Sequence, residues 1–86
     1  MPIFAIMEVT ILAFGIAKDI FGDGSIRVEL PAAATAAGLK AVLEQRYPRL
    51  KQLASYLLAV NNAYAADELL INGQDEIAVI PPVSGG

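Results

Sequence analysis

The 86-residue sequence contains neither cysteine nor histidine. The first absence removes thiol nucleophiles, thiolate metal sites and disulfides, and the second removes the side chain that most often moves protons near neutral pH. Scattered carboxylates and lysines are all that remains for acid–base work. Positive charge is also scarce: six basic residues face nine acidic ones, a net charge of −3, and the isoelectric point is near 4.6. Nucleic-acid affinity comes largely from clustered Lys and Arg, so no nucleic-acid partner is expected. No basic residue follows Lys51. Residues 1–51 hold all six basic residues against five acids, while residues 52–86 carry only Asp67, Glu68, Asp75 and Glu76. The half that bears the C-terminus therefore reads as acidic, either a merely solvated surface or one suited to a basic partner.

A membrane-spanning run is missing too. Residues 1–17 are mostly apolar, but Glu8 leaves too short a stretch to cross a bilayer, and the basic start of a signal peptide is absent. A cytoplasmic protein without a membrane partner is expected. The length fits a single domain over residues 1–86, able to bury roughly 60–65% of its unfolded surface and leaving little room for a deep private cavity. A self-contained active site is not expected.

What the chain does have is a distinctive end, Ile77-Ala78-Val79-Ile80-Pro81-Pro82-Val83-Ser84-Gly85-Gly86. The apolar run over residues 77–80 suits a buried strand, and Pro81 cannot donate to a ladder, so pairing stops there. Two prolines bias the backbone to polyproline II, and residues 81–86 reach about 19 Å at ~3.1 Å per residue. That is enough to enter another protein's pocket. Gly85 and Gly86 have no side chains, so the terminal carboxylate can pass down a narrow channel. A carboxylate is inert at neutral pH, and covalent work requires a partner that first activates it, for example as an acyl-adenylate. On this reading the chain is a substrate and carrier.

Residues 9–14 (VTILAF) read as a central strand, with residues 1–7 extending it or forming an N-terminal extension. Residues 15–24 read as a connection marked by Gly22-Asp23-Gly24. Residues 25–30 alternate, Ile26, Val28 and Leu30 against Arg27 and Glu29, as a strand with one wet face that completes a hairpin. Thr35 caps a helix whose Leu39, Val42 and Leu43, followed by Tyr47, share a side; Pro48 stops it near Arg46. A short second turn through Leu50, Leu53, Ala54 and Leu57 follows. Residues 57–60 read as a strand, Asn61-Asn62 as a turn and residues 63–65 as an edge segment, with Asn72-Gly73 before the last strand. In that strand Ile77 and Val79 share one face; Glu76, Ala78 and Ile80 share the other. Ile80 is then either part of a second core layer or, with Tyr64, an exposed docking anchor. One sheet covered on one face by one main helix is the economical α+β solution.

With these elements placed, the chain resembles the small subunit of molybdopterin synthase, the MoaD-like sulfur carriers. The resemblance spans nearly all of residues 8–86 and is most specific at the ending from Asp75 to Gly86, similar to the family's D-E-V-A-φ-φ-P-P-V-[ST]-G-G, with φ apolar. Ala59-Val60-Asn61 and the stretch from Phe14 to Gly22 match two further family segments, Lys18-Asp19 standing where members often have Arg-Glu. The resemblance implies a ubiquitin-like β-grasp fold with one mixed sheet of four to five strands. It implies that Gly86 is adenylated by a MoeB-like, E1-type activating enzyme that consumes ATP, and is then converted to a thiocarboxylate with sulfur from a desulfurase. The tail, Pro81, Pro82, Val83, Ser84 and Gly85, would carry that sulfur into a MoaE-like large subunit, for the cyclic pyranopterin precursor of molybdopterin. Tyr64 and Ile80 would line the interface with the large subunit, and Lys18 would lie near the activating enzyme or partner. A heterotetramer of two small and two large subunits is implied, with no metal, no permanently bound cofactor and no activity of the isolated chain.

Other carriers of this type end in Gly-Gly, so a thiazole or cysteine pathway is an alternative customer. The double proline and the length favour molybdopterin. A ubiquitin-like modifier joined through Gly86 to a lysine, or a non-covalent adaptor, are further alternatives.

Overall fold

The computed structural model describes residues 6–53 and 55–81. The expectations for Ala54, Pro82, Val83, Ser84, Gly85 and Gly86, and for the first five residues, lie outside the described residues. The chain runs β1 (Ile6–Ala13), α1 (Gly15–Phe21), β2 (Ser25–Pro31), α2 (Ala36–Arg46), a 3-10 turn (Pro48–Gln52), β3 (Leu57–Val60), β4 (Ala63–Tyr64) and β5 (Glu76–Ile80). The strands form one mixed sheet in the order β2-β1-β5-β3-β4. β1 pairs antiparallel with β2 and parallel with β5, and β3 is antiparallel to both β4 and β5. This is the ubiquitin-like β-grasp, an α+β fold with α2 as its main helix.

Strand alternation sorts the core. Val9, Ile11 and Ala13 of β1, Val28 and Leu30 of β2, Leu58 and Val60 of β3, and Ile77 and Val79 of β5 are buried on one face. Ala36, Leu39 and Leu43 of α2, with Leu50 of the 3-10 turn, bury their side chains in the same cluster. Fully burying a side chain such as Leu39 contributes about 1.5–3 kcal/mol. Val42 and Tyr47, expected on this side of the helix, are half-buried at its margin.

The start of α2 is tied down by its neighbours. Thr35 Oγ1 accepts the Gly38 N–H at 3.2 Å, as expected of a cap. The carbonyls of Leu69 and Asp67 accept the N–H groups of Ala36 and Ala37 at 2.8 and 3.0 Å. These are donors that the helix itself cannot satisfy. At the other end the helix stops at Arg46, before Tyr47-Pro48.

The expected connection over residues 15–24 is in fact a helix for most of its length, so β1 and β2 pair without forming a tight hairpin. α1 has only seven residues and no side-chain cap, too short for a periodic pattern to stand out. Its buried residues, Ala17 and Phe21, are four apart, and Gly22 (φ 79) closes it by donating to the Lys18 carbonyl. The turn at Asn61 and Asn62 was legible, and both residues take left-handed conformations, φ 53 and 70, as a two-residue hairpin turn requires.

Ala33 sits at φ 68, where a β-carbon is strained. Ala33→Gly is expected to raise the unfolding free energy by about 0.5–1 kcal/mol, whereas Gly22→Ala lowers it by about 1 kcal/mol. Urea midpoints of the two variants check both signs.

Candidate functional site

The site is built where two parallel strands end together. Ala13 of β1 lies beside Val79 of β5, so the residues that follow them, Phe14 with Ile80 and Gly15 with Pro81, emerge side by side. Gly15 turns the chain into α1 at φ +55, and a β-carbon built there would stand 3.6 Å from Pro81 Cγ. Pro81, the first residue of the expected tail, is half-buried against this corner. β3 enters at the same level, since Leu57 pairs with Ile80.

The sheet face turned away from α2 carries the apolar residues that the core does not use. Leu12, Ala59, Ala78 and Ile80 are half-buried on it, Phe14 and Leu57 are about half exposed, and Tyr64 is 71% exposed. Tyr64 pairs with Ala59, and Ala59 with Ala78, so Tyr64 and Ile80 look out from the same face across β3. A depression of about 250 Å³ lies over Leu12, Phe14, Ala59, Ala78 and Ile80. Towards β2 the same face becomes charged, with Arg27 and Glu8 paired at 3.4 Å. An apolar patch with a polar border is the surface chemistry of a docking face.

The structure brings Tyr64, Ile80 and Pro81 to one end and face of the sheet, while Lys18 stands apart on the exposed side of α1, its stem close to Gly24. Phe14 and Leu57 belong to this patch and were not singled out from sequence. Their signal was parity, since Leu57 shares a face with Ala59, and Phe14 follows the register of Leu12.

Among the described residues no polar or charged residue is buried, and no group of three His, Cys, Asp or Glu comes together to hold a metal. No helix among them is long and apolar enough to cross a membrane.

The model of the ThiS family matches residues 11–86. A molybdopterin synthase sulfur carrier subunit from Dictyostelium discoideum is 42% identical over 80 residues, covering 88% of this chain and 93% of that protein. The chain belongs to the ThiS family. Among solved structures, SAMP1 from Haloferax volcanii shares the fold with a TM-score of 0.79 at 24% identity, over 92% of this chain and 99% of that one. Subunits 1 and 2 of the molybdopterin-converting factor from Helicobacter pylori 26695 form a complex that contains a similar chain, with a TM-score of 0.65 at 23% identity, over 93% of this chain and 100% of that one.

In this member of the family, the approach to β3 is held by Tyr56, whose hydroxyl donates to the Glu44 carboxylate of α2. The Lys40 ammonium lies 5.7 Å from the centre of the Tyr56 ring and bonds Asp67 at 3.4 Å. Burial, then the hydrogen bond and negative charge of Glu44, raise the Tyr56 hydroxyl well above its ordinary 10.0. A raised pKa means that the native state keeps this proton after the unfolded chain has lost it. The contribution of Tyr56 is thus fully present below about pH 10 and is lost as pH rises further. Denaturation measured across that range should show wild-type stability falling more steeply than that of Tyr56→Phe.

Proposed function

We propose that this chain is the sulfur carrier subunit of a molybdopterin synthase, acting in the cytoplasm with its C-terminal Gly86 as the sulfur-bearing group. The observation that carries the reading is the 42% identity, over 88% of the chain, to a protein of that name. The architecture is consistent with it. The strand that leads into the tail, β5, lies near the middle of the sheet, so the tail has a rigid base.

In this reading an E1-type activating enzyme of the MoeB kind joins the Gly86 carboxylate to AMP from ATP, releasing pyrophosphate. A sulfide equivalent relayed from a desulfurase then displaces AMP, leaving a thiocarboxylate. Pro81 and Pro82 stiffen the exit, Val83 and Ser84 continue it, and Gly85-Gly86 thread the reactive end into a MoaE-like large subunit. Sulfur passes there to the cyclic pyranopterin precursor, and two rounds complete the dithiolene. The apolar patch around Phe14, Tyr64 and Ile80 seats on the large subunit, in an assembly of two small and two large chains, and Lys18 lies near the activating enzyme or the large subunit. The carrier holds no metal and no resident cofactor in this scheme.

Deleting Gly86, which lies beyond the last strand, is expected to leave stability within about 0.5 kcal/mol of wild type and to abolish molybdopterin formation with the large subunit. A truncated protein that still supports formation contradicts the reading. Ile80→Lys is expected to weaken binding to the large subunit, measured by calorimetry, while costing far less stability than the same change at buried Ile77. Equal losses of stability at the two positions would assign Ile80 to the core instead.

A further inference from the structure

The sheet has a free edge at β2, and no described strand lies beyond it. The Gly24 carbonyl accepts the Ala13 N–H at 2.9 Å, and that bond fixes how the β1–β2 ladder alternates. Ile26, Val28 and Leu30 bond to β1, while Ser25, Arg27, Glu29 and Pro31 turn their backbone polar groups outward. The Arg27 carbonyl does point that way, since it accepts from the Arg46 side chain at 3.4 Å.

Only the middle of this edge is open to pairing. Pro31 has no N–H at one end, and at the other the Ser25 N–H is held by the Asp23 carboxylate at 3.3 Å. Arg27 and Glu29, between them, each keep an outward donor and acceptor, because a carbonyl that accepts from Arg46 has a second lone pair. Both side chains are exposed, and alternation places them on the face away from α2. Arg27 is paired with Glu8 at 3.4 Å. Glu29 lies directly opposite Glu8 in the register and belongs to neither of the two ion pairs among the described residues. Like charges directly opposite are unfavourable. Glu29 therefore meets a like charge inside the sheet and an open edge outside it.

We propose that a second copy of this chain pairs antiparallel with this edge, Arg27 of each copy opposite Glu29 of the other. The two-fold axis then passes beside Val28, and each Arg27–Glu29 pair exchanges both of its N–H···O bonds. Registers that set Arg27 against Arg27, or Glu29 against Glu29, bring like charges together. An edge armed with one sign repels its own copy, whereas one that alternates in sign is self-complementary. Each Glu29 gains the cation that its own sheet does not supply, and each Arg27 stands between its own Glu8 and the second copy's Glu29. The outcome is one continuous sheet through both chains. β1 separates β5 from this edge, so the two tails leave at opposite ends of the pair, and the apolar patch around Tyr64 and Ile80 stays open. The pairing is compatible with the carrier reading and does not rest on it.

Sedimentation equilibrium of the intact chain at low salt, from about 10 µM to about 1 mM, tests the pairing, with amide resonances followed over the same range. A contact this small is expected to give a dissociation constant on the order of 0.1–1 mM. Concentration-dependent shifts should centre on the Arg27 and Glu29 amides and spare Tyr64 and Ile80. Glu29→Arg relieves the opposition to Glu8, so the fold is retained, and it brings the net charge of −3 closer to zero, which by itself favours association. It nevertheless sets cation against cation across the edge, and affinity should fall about 5- to 30-fold. Arg27→Glu/Glu29→Arg restores opposite charges and should return affinity to within about threefold of wild type. Thermal midpoints show that each variant is folded. A chain that stays monomeric throughout overturns the proposal, as does self-association with shifts centred on Tyr64 and Ile80. So does a folded Glu29→Arg variant that pairs as tightly as wild type, or a folded double exchange that fails to recover affinity.

Discussion

The parallel pairing of β1 with β5 is the contact on which everything else depends. It places the two longest-range segments of the chain side by side, so that Gly15 and Pro81 leave the sheet from adjacent positions. α1, the entry to β3 and the start of the tail are thereby gathered at one end. Such a contact closes most of the chain into one loop before it yields any stabilisation, so it must be supported by burial. Ile11, Ala13, Ile77 and Val79 supply that burial on the core face.

The same alternation that buries those residues turns Leu12, Ala78 and Ile80 outward, and Phe14, Leu57 and Tyr64 complete an apolar surface opposite α2. A chain of this length has one good core and cannot build a second. In the proposed function the open face is covered by the large subunit. The core is wholly apolar among the described residues, which suits a rigid support. The functional reading thus assigns geometry and delivery to this chain and chemistry to its partners.

The sequence was most legible where local chemistry and tertiary packing agree. Thr35, Pro48 and the paired Asn61-Asn62 marked a helix start, a helix end and a hairpin, and strict alternation separated Ile77 and Val79 from Ile80. It was least legible in α1, where seven residues held by Ala17, Phe21 and a closing Gly22 resemble a glycine-rich connection. Phe14 and Leu57 were missed because their exposure follows from which strands are neighbours, and strand order is not a local property.

The central claim is that Gly86 carries sulfur, and the most direct test is the mass of the tryptic peptide over residues 52–86 after incubation with ATP, a MoeB-like activating enzyme and a sulfur source. That peptide contains no methionine, the two methionines being Met1 and Met7, so methionine oxidation cannot imitate the exchange of oxygen for sulfur. A mass increase matching that exchange and located on Gly86 is expected. An unchanged peptide, with an activating enzyme proven competent on another carrier, would contradict the account.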